Sequence, residues 1–397
     1  MNKIFKETGK QNKFQSSQLN PPRNNRFNKK PLNSDLFVKK AQPVIETQYK
    51  SSLAIRDLPV NKSIISNLLR KGYVSPTEIQ ERSIGPILDG LDLMGLAQTG
   101  TGKTGAYLIP LAHNLLGKKP SFQVLVITPT RELAIQIDQE FKSITQGLFL
   151  YSECFIGGTD VRRDLAKLGK SYHFIIGTPG RITDLVHQNV IDLSLFNTLI
   201  LDEFDRLLDM GFSPDILKIV DGMHNRQQTI LFSATENTGQ KSIINKLLHR
   251  PVEVRLKNGN LSGDNIDQEI IKVPEGENKM DVLLRLIKDP AFEKVLIFVD
   301  TKHGVSKICK NLRRAGIKAD EIHGNKSQNY RINALEAFKS RKINVLVATD
   351  VAARGLDILN VSHVINYQQP QSMDDYIHRI GRTGRAGKSG KAYTFVS

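Results

Sequence analysis

Two kinds of apolar pattern alternate along this chain. Val60, Ile64, Ile65, Leu68 and Leu69 recur at the spacing of one face of an amphipathic helix. Short unbroken apolar runs follow at Val124–Ile127, Phe174–Ile176, Leu199–Leu201 and Ile230–Phe232, with helical stretches between them. Each run has the length of a strand, and polar, Gly or Pro residues come directly after it. A strand that is apolar at every position is buried on both faces, as in a parallel sheet covered by helices. Ligands of such sheets bind beyond the carboxyl ends of the strands, so the chemistry is expected just after each run.

The pattern breaks at Lys257–Asp267, a stretch rich in Gly, Asn and Asp that reads as a linker. It restarts at Val295–Val299, Val345–Ala348, His363–Tyr367 and Ala392–Val396. The expected class is α/β, with one domain over 51–256, a linker over 257–267 and a second domain over 268–397. Residues 1–50 are rich in Asn, Gln and Pro and show no sustained apolar period, which predicts a disordered tail.

Composition sharpens this picture. A length of 397 residues suits two domains, and 39% hydrophobic residues suffice for two cores. No apolar run reaches the 18 residues of a membrane span, and the N-terminus lacks the apolar region of a secretory signal. Cys154 and Cys309 match neither a disulfide framework nor a zinc site, which favours a reducing, cytoplasmic setting. The net charge of +16 favours a polyanionic partner, nucleic acid first. Half of that excess lies in residues 1–50, where eleven Lys/Arg stand against three Asp/Glu.

Ala97–Thr104 reads A-Q-T-G-T-G-K-T, the phosphate-binding loop G-x-x-x-x-G-K-[ST] with Ala97 in place of its first glycine. Gln98, Thr99, Gly100, Thr101 and Gly102 would wrap the phosphates, the glycines letting backbone N–H groups turn inward. Lys103 supplies charge to the β- and γ-phosphates, and Thr104 a hydroxyl to magnesium. Further on, Leu199–Leu201 runs straight into Asp202-Glu203-Phe204-Asp205. Acidic side chains at the end of a buried strand are costly unless they meet a cation. Magnesium held through Asp202, with Glu203 orienting and deprotonating the attacking water, is the expected use.

With these residues the chain resembles the DEAD-box family of superfamily 2 helicases over about residues 55–397. Gly72–Gln80 is similar to the family's Q motif, Pro129–Ala134 (P-T-R-E-L-A) to motif Ia, and Ser233-Ala234-Thr235 to motif III. Gly157-Gly158 and Thr178-Pro179-Gly180-Arg181 are similar to its other RNA-backbone contacts in the first domain. In the second domain Leu296–Lys302 resembles motif IV, and Gln328 and Arg331 match Q-x-x-R. Ala348–Ile358 resembles motif V, and His378–Arg385 (H-R-I-G-R-T-G-R) motif VI.

The resemblance implies two tandem RecA-like domains that close on ATP and one RNA strand. It gives adenine contacts to Thr77 and Gln80 and a ribose contact to Asp357, and it makes Arg382 and Arg385 arginine fingers. It assigns RNA binding to Pro129, Thr130, Arg131, Gly158, Thr178, Pro179, Gly180, Arg181, Arg331, Thr349 and Gly355. Most of these are small or backbone donors suited to sugar and phosphate, and 2′-hydroxyls would separate RNA from DNA. Asp205, Ser233, Thr235 and His378 would couple the two sites. The implied activity is ATP-driven local separation of RNA strands; an ATP-dependent RNA clamp and a DNA-directed helicase are the rivals. The chain departs from the family at Phe204 (Ala in the family), at Ile55 (an aromatic over the adenine) and after Ser397, where the family carries a further helix. Phe204 is expected to disturb packing against Ser233 and Thr235, and Ile55 to weaken base stacking.

Overall fold

The computed structural model describes residues 33–41, 49, 51–119, 123–158, 162, 164, 166, 172–236, 238–256, 265–353, 358, 361–384 and 389–396. Residues 1–32, 42–48 and 50 of the expected tail and 257–264 of the expected linker lie outside them.

The strands described form two sheets, one per lobe. The first contains β1 (Leu93–Leu96), β2 (Val124–Ile127), β3 (Ser152–Phe155), β4 (Phe174–Gly177), β5 (Thr198–Leu201), β6 (Gln228–Ser233) and β7 (Val252–Arg255). Their spatial order is β3-β4-β2-β5-β6-β1-β7, every pair parallel. The second contains β8 (Ile266–Lys272), β9 (Val295–Phe298), β10 (Ala319–Ile322), β11 (Val345–Ala348), β12 (His363–Asn366) and β13 (Gly390–Val396), in the order β10-β11-β9-β12-β13-β8, again all parallel.

Helices follow most strands. The first lobe carries α1 (Lys62–Arg70), α2 (Glu78–Leu88), α3 (Lys103–Leu115), α4 (Arg131–Ile144), α5 (Pro179–His187), α6 (Phe204–Asp209), α7 (Ser213–Gly222) and α8 (Thr238–Leu247). The second carries α9 (Lys279–Ile287), α10 (Lys302–Arg314), α11 (Gln328–Lys339), α12 (Asp350–Ala353) and α13 (Met373–Ile380). Successive strand residues enter opposite cores: Val124, Val126 and Ile200 join one cluster, Leu125, Ile127 and Leu201 the other. Burial on both faces is why these strands read as unbroken apolar runs.

Three expectations need correction. The tail is ordered in part: Ser34–Phe37 forms a 3-10 turn, and Phe37 is fully buried in the second lobe's core, its ring 4.8 Å from that of Tyr376. Lys39 and Gln268 exchange two backbone hydrogen bonds, so this segment adds to the edge strand β8. Phe37 is a lone apolar anchor, and a single residue sets up no periodicity. The linker also ends earlier than expected, because Ile266 and Asp267 already belong to β8. Finally β1, β3, β7, β8 and β10 were not foreseen as strands; four of these five are the outermost strands of their sheets.

The strand order does the positioning. In the first lobe the candidate nucleotide residues follow β1 and β5, with Ser233-Ala234-Thr235 after β6 between them. The candidate RNA residues follow β2, β3 and β4, the contiguous half of the sheet on the other side. In the second lobe motif IV, Q-x-x-R and motif V follow β9, β10 and β11, likewise contiguous.

Candidate nucleotide and RNA site

The loop after β1 turns at Gly100 and Gly102, with φ of +87° and +96°, a region that glycine enters without strain. Lys103, 6% exposed, opens α3 and folds back so that Nζ donates to the Ala97 carbonyl at 2.8 Å. Position 97 thus contributes a carbonyl, which alanine supplies as well as glycine. Gln80 is buried against this loop: its Oε1 accepts from the Thr77 N–H at 3.0 Å, and its Nε2 donates to the Gly102 carbonyl at 3.1 Å. A Cβ at Gly102 would come within 2.7 Å of Gln80 Nε2 and 2.8 Å of Thr77 Oγ1, and one at Gly105 within 2.7 Å of Gln80 Nε2. Gln80 therefore braces this loop from a buried position and does not line the cavity described below.

Beyond β5, Asp202 and Glu203 are 2% and 5% exposed. Burial pushes the Asp202 carboxyl above its ordinary value, the nearby Lys103 ammonium pulls it down, and Glu203 raises it again. Asp202 Oδ1 accepts from the Glu203 N–H at 2.9 Å, and Oδ2 from the Tyr107 hydroxyl at 3.0 Å. Glu203 is left-handed at φ +51°, strain of about 1–2 kcal/mol for a non-glycine residue. The buried Arg206 donates to Glu203 Oε2 at 3.2 Å. Among the described residues no three His, Cys, Asp or Glu side chains could hold a metal by themselves. One carboxylate, one hydroxyl and an adjoining phosphate cradle fit magnesium, which keeps waters and shares its shell with substrate phosphates.

A cavity of about 550 Å³ runs over these groups. Thr99, Gly100, Gly102, Lys103, Thr104, Asp202 and Glu203 line it from the first lobe, and Arg382 and Lys339 from the second. Gln98 and Thr101 stand in the same loop, the Thr101 hydroxyl donating to the Gln98 carbonyl at 2.8 Å. His378 lines a small pocket with Arg379 and Arg382, in the second lobe. Arg379, 2% exposed, is clamped by Asp350 through Nε at 2.6 Å and Nη2 at 2.5 Å and stacks over Phe298. Asp357, Gly355 and Arg385 lie outside the described residues.

Phe204 and Ile55, the two residues expected to disturb the site, both lie in the core of the first lobe. Phe204 is fully buried in the core cluster on one face of the sheet, while Asp205 turns the other way. Asp205 Oδ2 accepts from the N–H of Ala234 at 3.2 Å and of Thr235 at 3.0 Å, and from the Thr235 hydroxyl at 3.1 Å. The Ser233 hydroxyl accepts from the Asp205 N–H at 3.3 Å. The expected disturbance at Ser233 and Thr235 is thus absent from these contacts. Ile55 is fully buried in the first lobe's core, so it presents no exposed face to a base.

The RNA candidates gather at one rim. Thr130 caps α4, its hydroxyl accepting from the Leu133 N–H at 3.3 Å, and Pro129 precedes it. The Arg131 guanidinium lies over Gly157 and Gly158; a Cβ at Gly158 would meet it at 2.4 Å, so glycine clears its path. Thr178 and Pro179 start α5 at the rim, and Gly180 faces open space. Thr349 begins the corresponding turn after β11. Two charges behave otherwise than expected. Arg181, 7% exposed, donates through Nε and Nη2 to Asp164 Oδ2 at 2.9 and 2.6 Å. Arg331, 8% exposed, pairs with Glu132 of the first lobe at 2.9 Å. Both shape the rim rather than extend from it. Sequence reading missed Asp164, Arg206 and Tyr107, the partners of Arg181, Glu203 and Asp202, and had Glu132 and Arg379 only as members of their motifs, without a role.

Residues 77–243 match the family described as "DEAD/DEAH box helicase" and residues 278–387 the "Helicase conserved C-terminal domain". The chain is 43% identical over 338 residues to the "ATP-dependent RNA helicase CshA" of Listeria monocytogenes, covering 85% of this chain and 65% of that protein. It is 40% identical over 346 residues to the "DEAD-box ATP-dependent RNA helicase CshA" of Bacillus subtilis, covering 87% and 70%. The chain thus spans about two thirds of the length of these relatives. The structure of Saccharomyces cerevisiae Dbp5 bound to RNA and ADP BeF3 has a TM-score of 0.78 at 27% identity, over 86% of this chain and 89% of that one. The DEAD-box helicase Mss116 bound to ssRNA and UDP-BeF has a TM-score of 0.77 at 30% identity, over 87% and 76%.

Proposed function

Because this chain belongs to the DEAD-box family of RNA helicases, we propose that it is an RNA-dependent ATPase that locally separates RNA duplexes and remodels RNA–protein complexes. One observation carries this reading: Lys103, Asp202 and Glu203 of the first lobe and Arg382 of the second line a single cavity. Thr104 and Asp202 would hold magnesium, which when bound neutralises the β- and γ-phosphate charge. Lys103 adds a point charge to the same oxygens. Glu203 orients the attacking water and takes its proton. Arg382, with Arg385 as its proposed companion, offsets the charge that develops on the transferring phosphoryl group.

RNA would lie along the rim after β2, β3 and β4 and the matching rim after β9, β10 and β11, held by sugar and phosphate contacts. Asp205 and the turn at Ser233-Ala234-Thr235 sit between the nucleotide strands, which supports their coupling role. Among the described residues no helix is long and apolar enough to cross a membrane. The cytoplasm is the proposed place of work, on the ground that two cysteines so far apart in the chain match no disulfide framework. A monomer is the proposed working form. The test is Arg382→Ala in the full chain. ATP affinity without RNA should change little, while RNA-stimulated turnover and displacement of a short RNA strand should fall by a factor on the order of 10² or more. Turnover within a few-fold of wild type, or equal stimulation by DNA, overturns the reading.

A further inference from the structure

Tyr107 lies one turn along α3 from Thr104, on the same helix face. It is fully buried, its ring tilted against that of Phe232 with centroids 5.9 Å apart. Its hydroxyl donates to Asp202 Oδ2 at 3.0 Å. One buried hydroxyl therefore holds an oxygen of the carboxylate to which the metal is assigned. Asp202 Oδ1 is engaged by the Glu203 N–H at 2.9 Å, so each carboxylate oxygen is fixed by one donor and keeps one lone-pair direction open. Phenylalanine would fill the same space and pack equally against Phe232. The hydroxyl thus adds nothing to packing, and burying it carries a cost unless it is hydrogen-bonded. Its partner defines what it does.

We propose that Tyr107 is a positioning residue for the metal, fixing the side chain of Asp202 through its hydroxyl. This inference rests on the metal site read above and deepens it. Groups that orient metal ligands without touching the ion matter about 10–100-fold in metal affinity. The role is separable from catalysis, because it acts on magnesium dependence before any bond is broken.

The experiment uses the full chain and ADP as the probe. ADP binding is followed by calorimetry across a magnesium titration and again in excess chelator, for wild type, Tyr107→Phe, Asp202→Asn and the double variant. In Tyr107→Phe the magnesium concentration for half-maximal enhancement of ADP binding should rise about tenfold. Chelator-state ADP affinity and the melting temperature should stay close to wild type, which a packing role alone would not separate. The double variant should resemble Asp202→Asn, since the hydroxyl acts through that carboxylate. If Asp202→Asn shifts magnesium dependence and Tyr107→Phe does not, Tyr107 is a core residue and the proposal fails. If neither variant shifts it, the assignment of Asp202 to the metal fails, and the proposal with it.

Discussion

Arg331 of the second lobe forms an ion pair with Glu132 of the first across 2.9 Å, and the Gln328 amide donates to the same Glu132 Oε1 at 2.9 Å. All three side chains are at most 9% exposed, so the lobes meet here through buried polar groups. Burial holds the Arg331 guanidinium below its ordinary pKa, and Glu132 opposes that shift.

Such a pair is sensitive to the removal of one member, since the other is left buried and uncompensated, at a cost of about 3–5 kcal/mol. In the proposed mechanism the lobes close on ATP and RNA, so an orphaned charge would return to water in the open arrangement and the penalty would fall on closure instead of on folding. Arg331→Ala and Glu132→Ala are each expected to reduce kcat/KM for RNA-stimulated ATP hydrolysis by about tenfold or more, with little change in melting temperature. The double variant should be no worse than either single, because both remove one shared interaction. Additive effects in that cycle would show that Arg331 and Glu132 act independently.

Glu203→Gln keeps the shape of the side chain and an oxygen that can accept from Arg206, so folding and ATP binding should survive. What it loses is the base. Turnover at saturating RNA should drop by a factor of about 10²–10⁴, read as ADP release. Near-normal turnover would mean that another group activates the water.

Residues 1–31 carry eight Lys/Arg against one acidic residue, all before the segment that docks on β8. Their removal should weaken binding to single-stranded RNA and flatten its dependence on salt, the slope falling by about 0.7 for each phosphate no longer neutralised. Maximal ATPase at saturating RNA should be nearly unchanged. An unaltered salt slope would reduce this stretch to a solubilising role.

His363 offers a pH test away from the site. It is 4% exposed, stacked on Phe292 at 3.9 Å, and burial with the nearby Lys391 pushes its pKa down to about 4. Its unfolded value is about 6.5, so between these limits the unfolded chain binds a proton that the native chain refuses. Stability therefore falls as pH falls from about 6.5 towards about 4. Between pH 7 and pH 5 this removes about 2 kcal/mol, an effect that His363→Phe should abolish. Urea unfolding at the two pH values measures it; an equal decrease in the variant would assign the pH dependence to other groups.

Much of this molecule was legible in the sequence because its central strands are buried on both faces. Val124–Ile127 and Val345–Ala348 coincide with the apolar runs that predicted them. The edge strands were not: Ser152–Phe155, Val252–Arg255 and Ala319–Ile322 mix polar with apolar residues because one side has no partner strand. The central β1 was hidden by Gly95, whose missing side chain leaves room for the Phe232 ring; a Cβ there would lie 2.2 Å from it. In the site, the residues proposed to contact phosphate sit in short local motifs and could be read directly. Residues that hold those motifs in place, such as Asp164, Glu132 and Tyr107, act through partners remote in sequence. Only the fold makes the pairs.

The docking of Phe37 changes the topology of the machine. Ser34–Ala41 belong to the second lobe, Tyr49 onward to the first, and β8 onward to the second again. The backbone therefore passes between the lobes twice, once between Ala41 and Tyr49 and once between Leu256 and Asn265. A single cut at the second crossing would not liberate two independent halves; they would stay leashed by the first as long as Phe37 keeps its socket. The leash also has a fixed length. The eight steps from Ala41 to Tyr49 reach at most about 28 Å when fully extended. However far the lobes swing, those two attachment points can part no further without pulling Phe37 free.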